Sequence, residues 1–213
     1  MAETVITSSC YFPPVIFFRE YVNAKTIVVD IHEYFIKQTL RNRAYICNAG
    51  GKMPLIIPVQ HTGGKLTAIK DIRISYDTAW QKNHWRSLTS SYRNSAWFEF
   101  MEDDIAPFFS VKEKFLCDLN EKIFNTLFRL CGIDVQVVRS TEYFESYPRE
   151  VADVRNLADI TYFNKYSEQQ NLPPYSQVFT SRLGFSGGLS ILDLLFNQGK
   201  STVQYLAAQG PGH

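Results

Sequence analysis

Thr4-Val5-Ile6-Thr7-Ser8-Ser9-Cys10-Tyr11-Phe12-Pro13-Pro14-Val15 is the stretch on which the fold turns. Its β-branched residues predict a short strand over 4–9. The two prolines predict a tight turn, and the apolar run from Val15 to Val22 predicts a helix, since proline is tolerated in a first helical turn where the N–H lacks a partner. A second β-branched run, Thr26-Ile27-Val28-Val29-Asp30-Ile31, predicts a buried strand. Strand, turn, helix and strand together read as a β–α–β unit with parallel strands and a right-handed crossover.

Working outward, residues 43–48 and 54–60 read as two strands joined at Ala49-Gly50-Gly51-Lys52, a hairpin, with a glycine-bearing loop over 61–65. The alternation at 68–75 predicts another strand. A helix from Asp77 or Thr78 to Arg93 carries Trp80, His84, Leu88 and Tyr92 on one stripe. Ser110-Val111-Lys112-Glu113 spells a capping box that predicts a helix from Ser110 to a stop at Gly132. A strand over 135–139, a helix over 149–158, a helix over 190–197 capped by Ser190 and stopped by Gly199, and a final helix over 200–208 complete the chain. The expectation is one α/β domain over 1–213: a mixed, largely parallel sheet flanked by helices, with a β–α–β unit followed by a hairpin.

Composition narrows the function. The 22 basic and 21 acidic residues leave a net charge of +1, without the basic excess of a nucleic-acid binder. No apolar run approaches the ~18 residues of a membrane span, and the N-terminus has no signal-peptide pattern, so a cytoplasmic location without membrane insertion is expected. Cys10, Cys47, Cys117 and Cys131 form no CxxC pair and read as reduced, buried thiols. The four histidines have no metal-ligand spacing, and neither a metal nor a cofactor is implied.

Four groups of residues have chemical potential. Tyr11, Phe12 and Pro13 stand at the carboxyl end of the first strand, where ligands of open α/β sheets bind, and their rings suit a base or a sugar. Lys37, Gln38, Arg41, Asn42 and Arg43 bring three cations and two amides into seven residues, and arginine forks suit phosphate or carboxylate. His84 on the aromatic stripe and His32 beside Asp30 and Glu33 are the candidate proton acceptors. Gly184 to Ser190 leads a glycine-bearing turn into a helix N-terminus, which can cradle an anion. Each group also has a structural reading as core plug, solvated face, core histidine or plain N-cap.

The ordered set Tyr11-Phe12-Pro13, Asp30, Lys37-Gln38, Arg41-Asn42-Arg43, Leu55-Ile56-Ile57-Pro58-Val59, Ile69, Ile72-Arg73-Ile74, Trp80, His84, Tyr92 and Leu189-Ser190-Ile191-Leu192-Asp193-Leu194-Leu195-Phe196-Asn197 with Gly199 resembles the WbqC-like family. The resemblance covers nearly the whole chain and implies a role in O-antigen or other surface-polysaccharide assembly, with glycyl transfer suggested for some members. It marks Trp80, Tyr92, Ser190, Asp193 and Asn197 as further substrate-binding candidates. Two features depart from the family pattern. Ser8-Ser9-Cys10 stands where many members carry Gln-Pro, and the segment at Asp159 to Asn164 is shortened. The opening also resembles nucleotidyltransferase-type Rossmann-like domains, but Pro13-Pro14-Val15-Ile16 lacks their histidine pair, so their phosphate chemistry does not carry over.

These readings combine into an expectation of a transferase acting on a small-molecule substrate, a nucleotide-linked sugar, with Arg41 and Arg43 on its diphosphate, Tyr11 on its ring and His84 or His32 as base. On that expectation Arg41→Ala weakens binding and spares the melting temperature. The alternative is a module of the same pathway that binds without turnover. Exposed aromatics of 95–109 would make a homodimer.

Overall fold

The computed structural model describes residues 3–60, 66–170 and 172–208. In chain order the elements are β1 (Thr4–Ser8), α1 (Val15–Tyr21), β2 (Thr26–Asp30), β3 (Arg43–Asn48), β4 (Gly51–Ile56), α2 (Trp80–Tyr92), α3 (Phe98–Ile105), α4 (Leu116–Cys131), β5 (Gln136–Arg139), β6 (Val151–Asp153), α5 (Ile160–Gln170), α6 (Thr180–Leu183), α7 (Ile191–Gln198) and α8 (Thr202–Ala207). Four strands form one sheet in the order β5-β2-β1-β6, every neighbouring pair parallel. β3 and β4 form a separate antiparallel hairpin that turns on Ala49-Gly50, with Asn48 opposite Gly51. The fold is α/β and opens on a strand, a helix and a strand.

Strand β1 lies inside the sheet, and its successive residues Val5 and Ile6 are both buried, so helices or loops cover both faces. Helix α1 is apolar nearly all round. Its Phe18 and Tyr21 pack on Phe124 and Phe128 of α4, with ring centroids 5.4–6.0 Å apart. Burying each such ring stabilises the fold by roughly 1.5–3 kcal/mol. Between β1 and α1 the turn is tied down from two directions. The Tyr11 N–H donates to the Leu40 carbonyl, while the Val15 and Ile191 N–H groups donate to the Leu189 and Pro13 carbonyls. Phe12 sits in this turn with φ of 38°, a left-handed value for a buried aromatic, held by stacking on Phe109.

Three local expectations give way. Residues 68–75 form a one-turn 3-10 helix at Ile69–Asp71 and isolated bridges instead of a strand. Ile69, Ile72 and Ile74 are buried there as the sequence implied, but their spacing changes from three to two and no ladder forms. The capping box at Ser110 is absent. Tyr76 Oη exchanges hydrogen bonds with the N–H and carbonyl of Glu113, and Lys114 and Leu116 pair with Ile74 and Ile72, so the chain stays extended until α4 begins at Leu116. The helix expected over 149–158 is instead β6 and a 3-10 turn at Arg155–Ala158, while α5, which follows, was not anticipated. Gly132 ends α4 as expected, in the left-handed conformation. The loop expected over 61–65 lies outside the described residues. The four cysteines are free and buried.

Candidate active site at the strand ends

The parallel strands deliver polar residues to one edge of the sheet. Ser8 ends β1 opposite Asp30 at the end of β2, Arg139 ends β5 opposite Val29, and Asp153 ends β6 opposite Ile6. Asp30 has no solvent exposure. Its Oδ1 accepts from the backbone N–H groups of His32 (3.0 Å) and Glu33 (3.1 Å) and from Ser140 Oγ (3.1 Å), and its Oδ2 accepts from Arg155 Nη1 (2.8 Å). Four donors, one of them charged, are what a buried carboxylate needs.

His32 joins this network through Ser140, whose Oγ lies 3.1 Å from Nδ1. Ser140 gives its one proton to Asp30, so Nδ1 is the donor to Ser140 Oγ. An imidazole whose Nδ1–H is oriented in this way can act as a general base through Nε2 when it is neutral.

Beside this edge lies a cleft of about 490 Å³ lined by Glu33, Tyr34, Ile36, Arg41, Tyr143, Glu145, Asp153, Arg155, Asn156 and Asp159. Tyr34 and Tyr143 are both more than half exposed, so their rings are available to a ligand. Arg155 has no N–H to spare. It reaches Asp153 through Nε and Nη2, Asp30 and the Phe144 carbonyl through Nη1, and the Glu145 carbonyl through Nη2, with Tyr143 and Tyr147 over its plane. Those bonds to Asp153 first, against the cost of burial, hold its pKa above the usual arginine value. Arg155 thus staples the 143–147 segment to the ends of β2 and β6.

Arg41 is 4% exposed and forms a fork with Glu33, Nε to Oε1 at 2.9 Å and Nη2 to Oε2 at 2.7 Å, with Nη2 also 3.2 Å from Ser8 Oγ. Its Nη1 has no partner among the described residues. Burial works against its charge, and the bonds and charge of Glu33 outweigh that, leaving the pKa raised.

The other expected site residues lie elsewhere. Arg43 opens β3 and points its Nη1 toward Tyr45 Oη at 3.5 Å, and it is not among the residues that line the cleft with Arg41. Asn42 is buried and donates to the Ile57 carbonyl. Lys37 and Gln38 are exposed, Gln38 with φ of 60° in the turn before Arg41. Tyr11, Phe12, Trp80 and His84 do converge, but as core, and Pro13 and Tyr92 are buried as well, Tyr92 against Phe196 and Asp193. Tyr11 Oη is 3.1 Å from His84 Nδ1, the imidazole also bonds the Ile56 carbonyl, and Trp80 packs edge-on at 5.2 Å. Burial pulls the His84 pKa down to about 4. As a base His84 lacks any opening to a substrate, and its geometry is that of a satisfied core histidine.

Helix α7 is likewise enclosed. Ser190 caps it through the Leu192 N–H, and the Ser190 and Ile191 N–H groups are taken by the Tyr45 and Pro13 carbonyls, which leaves no free cradle for an anion. Asp193 lies buried in the first turn of this helix. It accepts from Tyr92 Oη (3.0 Å), Tyr175 Oη (2.7 Å) and Gln177 Nε2 (2.8 Å), and burial raises its pKa despite those bonds. Asn197 folds back onto the Asp193 carbonyl.

Sequence reasoning reached Arg41, His32 and the Asp30–Glu33 neighbourhood and missed Ser140, Glu145, Asp153, Arg155 and Asp159. The available signal was Val151-Ala152-Asp153, a three-residue strand ending in acid like β2, obscured by reading 149–158 as helix.

No described helix is long and apolar enough to cross a membrane, and among the described residues no cluster of three or more His, Cys, Asp or Glu could hold a metal ion. No solved structure matches the chain significantly. It is similar to an uncharacterised protein of Mycobacterium tuberculosis, Rv1507c, at 27% identity over 234 residues that cover 97% of this chain and 98% of that one. The model of the WbqC-like protein family matches residues 8–166, through the strand ends and the whole lining of the cleft, and the chain belongs to that family.

Proposed function

We propose that this WbqC-like protein is a transferase of surface-polysaccharide assembly that holds an activated, nucleotide-linked sugar by its sugar end in the strand-end cleft, with His32 as proton acceptor. Membership of the family supports the polysaccharide setting. The carrying observation is the cleft itself, where tyrosine rings, carboxylates and a buried arginine meet at the carboxyl ends of parallel strands. Carboxylates accept from sugar hydroxyls, tyrosine faces pack on the C–H face of a pyranose, and the His32–Ser140–Asp30 chain orients a base at the same edge. Most of the rate gain comes from holding acceptor and donor together. Both arginines of the cleft lining are paired with carboxylates, so the diphosphate lies outside the cleft. Glycyl transfer to the sugar is one reaction of this class.

The test is incubation with a panel of nucleotide-linked sugars and activated amino-acid donors, with products followed by mass spectrometry. A His32→Gln variant should bind the same sugar in a thermal-shift assay and lose about 10²–10⁴-fold in turnover. Loss of less than about threefold would remove His32 from the reaction. Binding without any product, in wild type and variant alike, would assign the cleft to a non-catalytic binding module of the same pathway.

A further inference from the structure

We infer that the cleft selects a sugar bearing a free amine, recognised as an ammonium ion, over neutral or phosphorylated sugars; this rests on the sugar-binding role of the cleft proposed above. The lining contains four carboxylates and two guanidiniums, an excess of two negative charges in a space of about 490 Å³. Two of the carboxylates are already answered, Glu33 by Arg41 and Asp153 by Arg155. Glu145 and Asp159 have no ion-pair partner among the described residues, and they arrive from separate segments, the 143–147 loop and the residue preceding α5. Among the described residues the Asp159 carboxylate accepts from the Tyr162 N–H alone, through Oδ1.

The independent mark of a ligand is Arg41. It is buried and fixed by Glu33, yet its Nη1 has no partner among the described residues, and a buried donor left unmade is costly. The charge of Asp159 acts on Arg41 without an ion pair between them. A fixed N–H donor and a nearby carboxylate without an ion pair are complementary to a group that accepts at one atom and donates at the next, as adjacent oxygen and nitrogen substituents of an amino sugar do. A phosphate would meet the donor but also the unanswered carboxylates, and like charge at close range disfavours it. Tyr34 and Tyr143 supply the faces for the ring.

The probes are D-glucosamine, D-glucose and glucose 6-phosphate, titrated calorimetrically into the full chain at low salt and a pH at which the amine is charged. Glucosamine should bind about tenfold more tightly than glucose, the worth of one charge-assisted hydrogen bond, and glucose 6-phosphate most weakly. The advantage should shrink with added salt and fall below about threefold in a Glu145→Gln/Asp159→Asn double variant. Equal affinity for glucosamine and glucose overturns the amine selectivity and leaves the sugar cleft standing. Tightest binding of glucose 6-phosphate overturns the charge argument. No binding of any of the three overturns both.

Discussion

Arg41 illustrates how one residue can serve a site and a framework together. The sequence-based expectation was that Arg41→Ala would spare stability, but the residue is buried in a fork with Glu33. Removing it leaves Glu33 buried and uncompensated, which costs about 3–5 kcal/mol. Scanning calorimetry should show the melting temperature falling by roughly 10 °C; an unchanged melting temperature would show that the fork is not formed in solution. His84 makes a different residue-scale prediction. Its folded pKa of about 4 lies below the unfolded value near 6.5, so the unfolded state binds the extra proton first as pH drops. Its contribution is complete above about pH 6.5 and is lost progressively as the pH falls toward 4, by up to a few kcal/mol. Denaturant titrations of wild type and His84→Gln across that window should show a steeper loss in the wild type. Parallel curves would mean that the imidazole is solvated.

Among the elements, the end of α7 is the tightest joint. Gly199 has φ of 54°, and a Cβ there would lie 2.2 Å from Cδ2 of the Trp97 ring. Trp97 is itself anchored by its N–H on the Phe196 carbonyl. Gly199→Ala should therefore cost more than about 4 kcal/mol, read by chemical denaturation. In a Trp97→Ala background the steric part disappears and only the backbone strain of roughly 1–3 kcal/mol remains. Equal costs in both backgrounds would remove Trp97 as the cause. The absent capping box belongs to the same scale. Ser110 and Glu113 carry the right letters, yet a tyrosine thirty-four positions upstream of Ser110 binds the Glu113 backbone and keeps the segment extended. A cap is worth about 1 kcal/mol, which a tertiary contact of two hydrogen bonds matches.

For the whole molecule, parallel register is what builds the site. Ser8, Asp30 and Asp153 reach one edge because β1 pairs in parallel with both β2 and β6. Register also fixes which acids are buried, Asp30 fully, and which line the cleft. A homodimer through 95–109 has less to stand on. Phe98, Met101, Ile105 and Phe109 face the core, and Phe100, at 76% exposed, is the large apolar side chain of that stretch that stands clear of it. A specific interface buries about 1,000 Å² or more, which one ring does not supply. Light scattering at high concentration should return the mass of one chain, and twice that mass would reinstate the dimer.

By itself the sequence determined the opening β–α–β unit, the hairpin, the aromatic helix and the α4 and α7 stops, because β-branched runs, helical stripes and glycine punctuation act over a few residues. It also set Arg41 and the Asp30–Glu33 segment apart as charges beside a buried strand, where charges need partners, and the structure pairs Arg41 with Glu33. Only the tertiary structure decided that Tyr11, Phe12, Trp80 and His84 close into core while Glu145, Asp153 and Asp159 line one cleft with Arg41 and Ser140 joins Asp30 at the strand ends. Those acids and Ser140 come from segments more than a hundred positions from β2, brought to the same sheet edge by the pairing of β5 with β2 and of β6 with β1, which leaves no local trace in composition or periodicity.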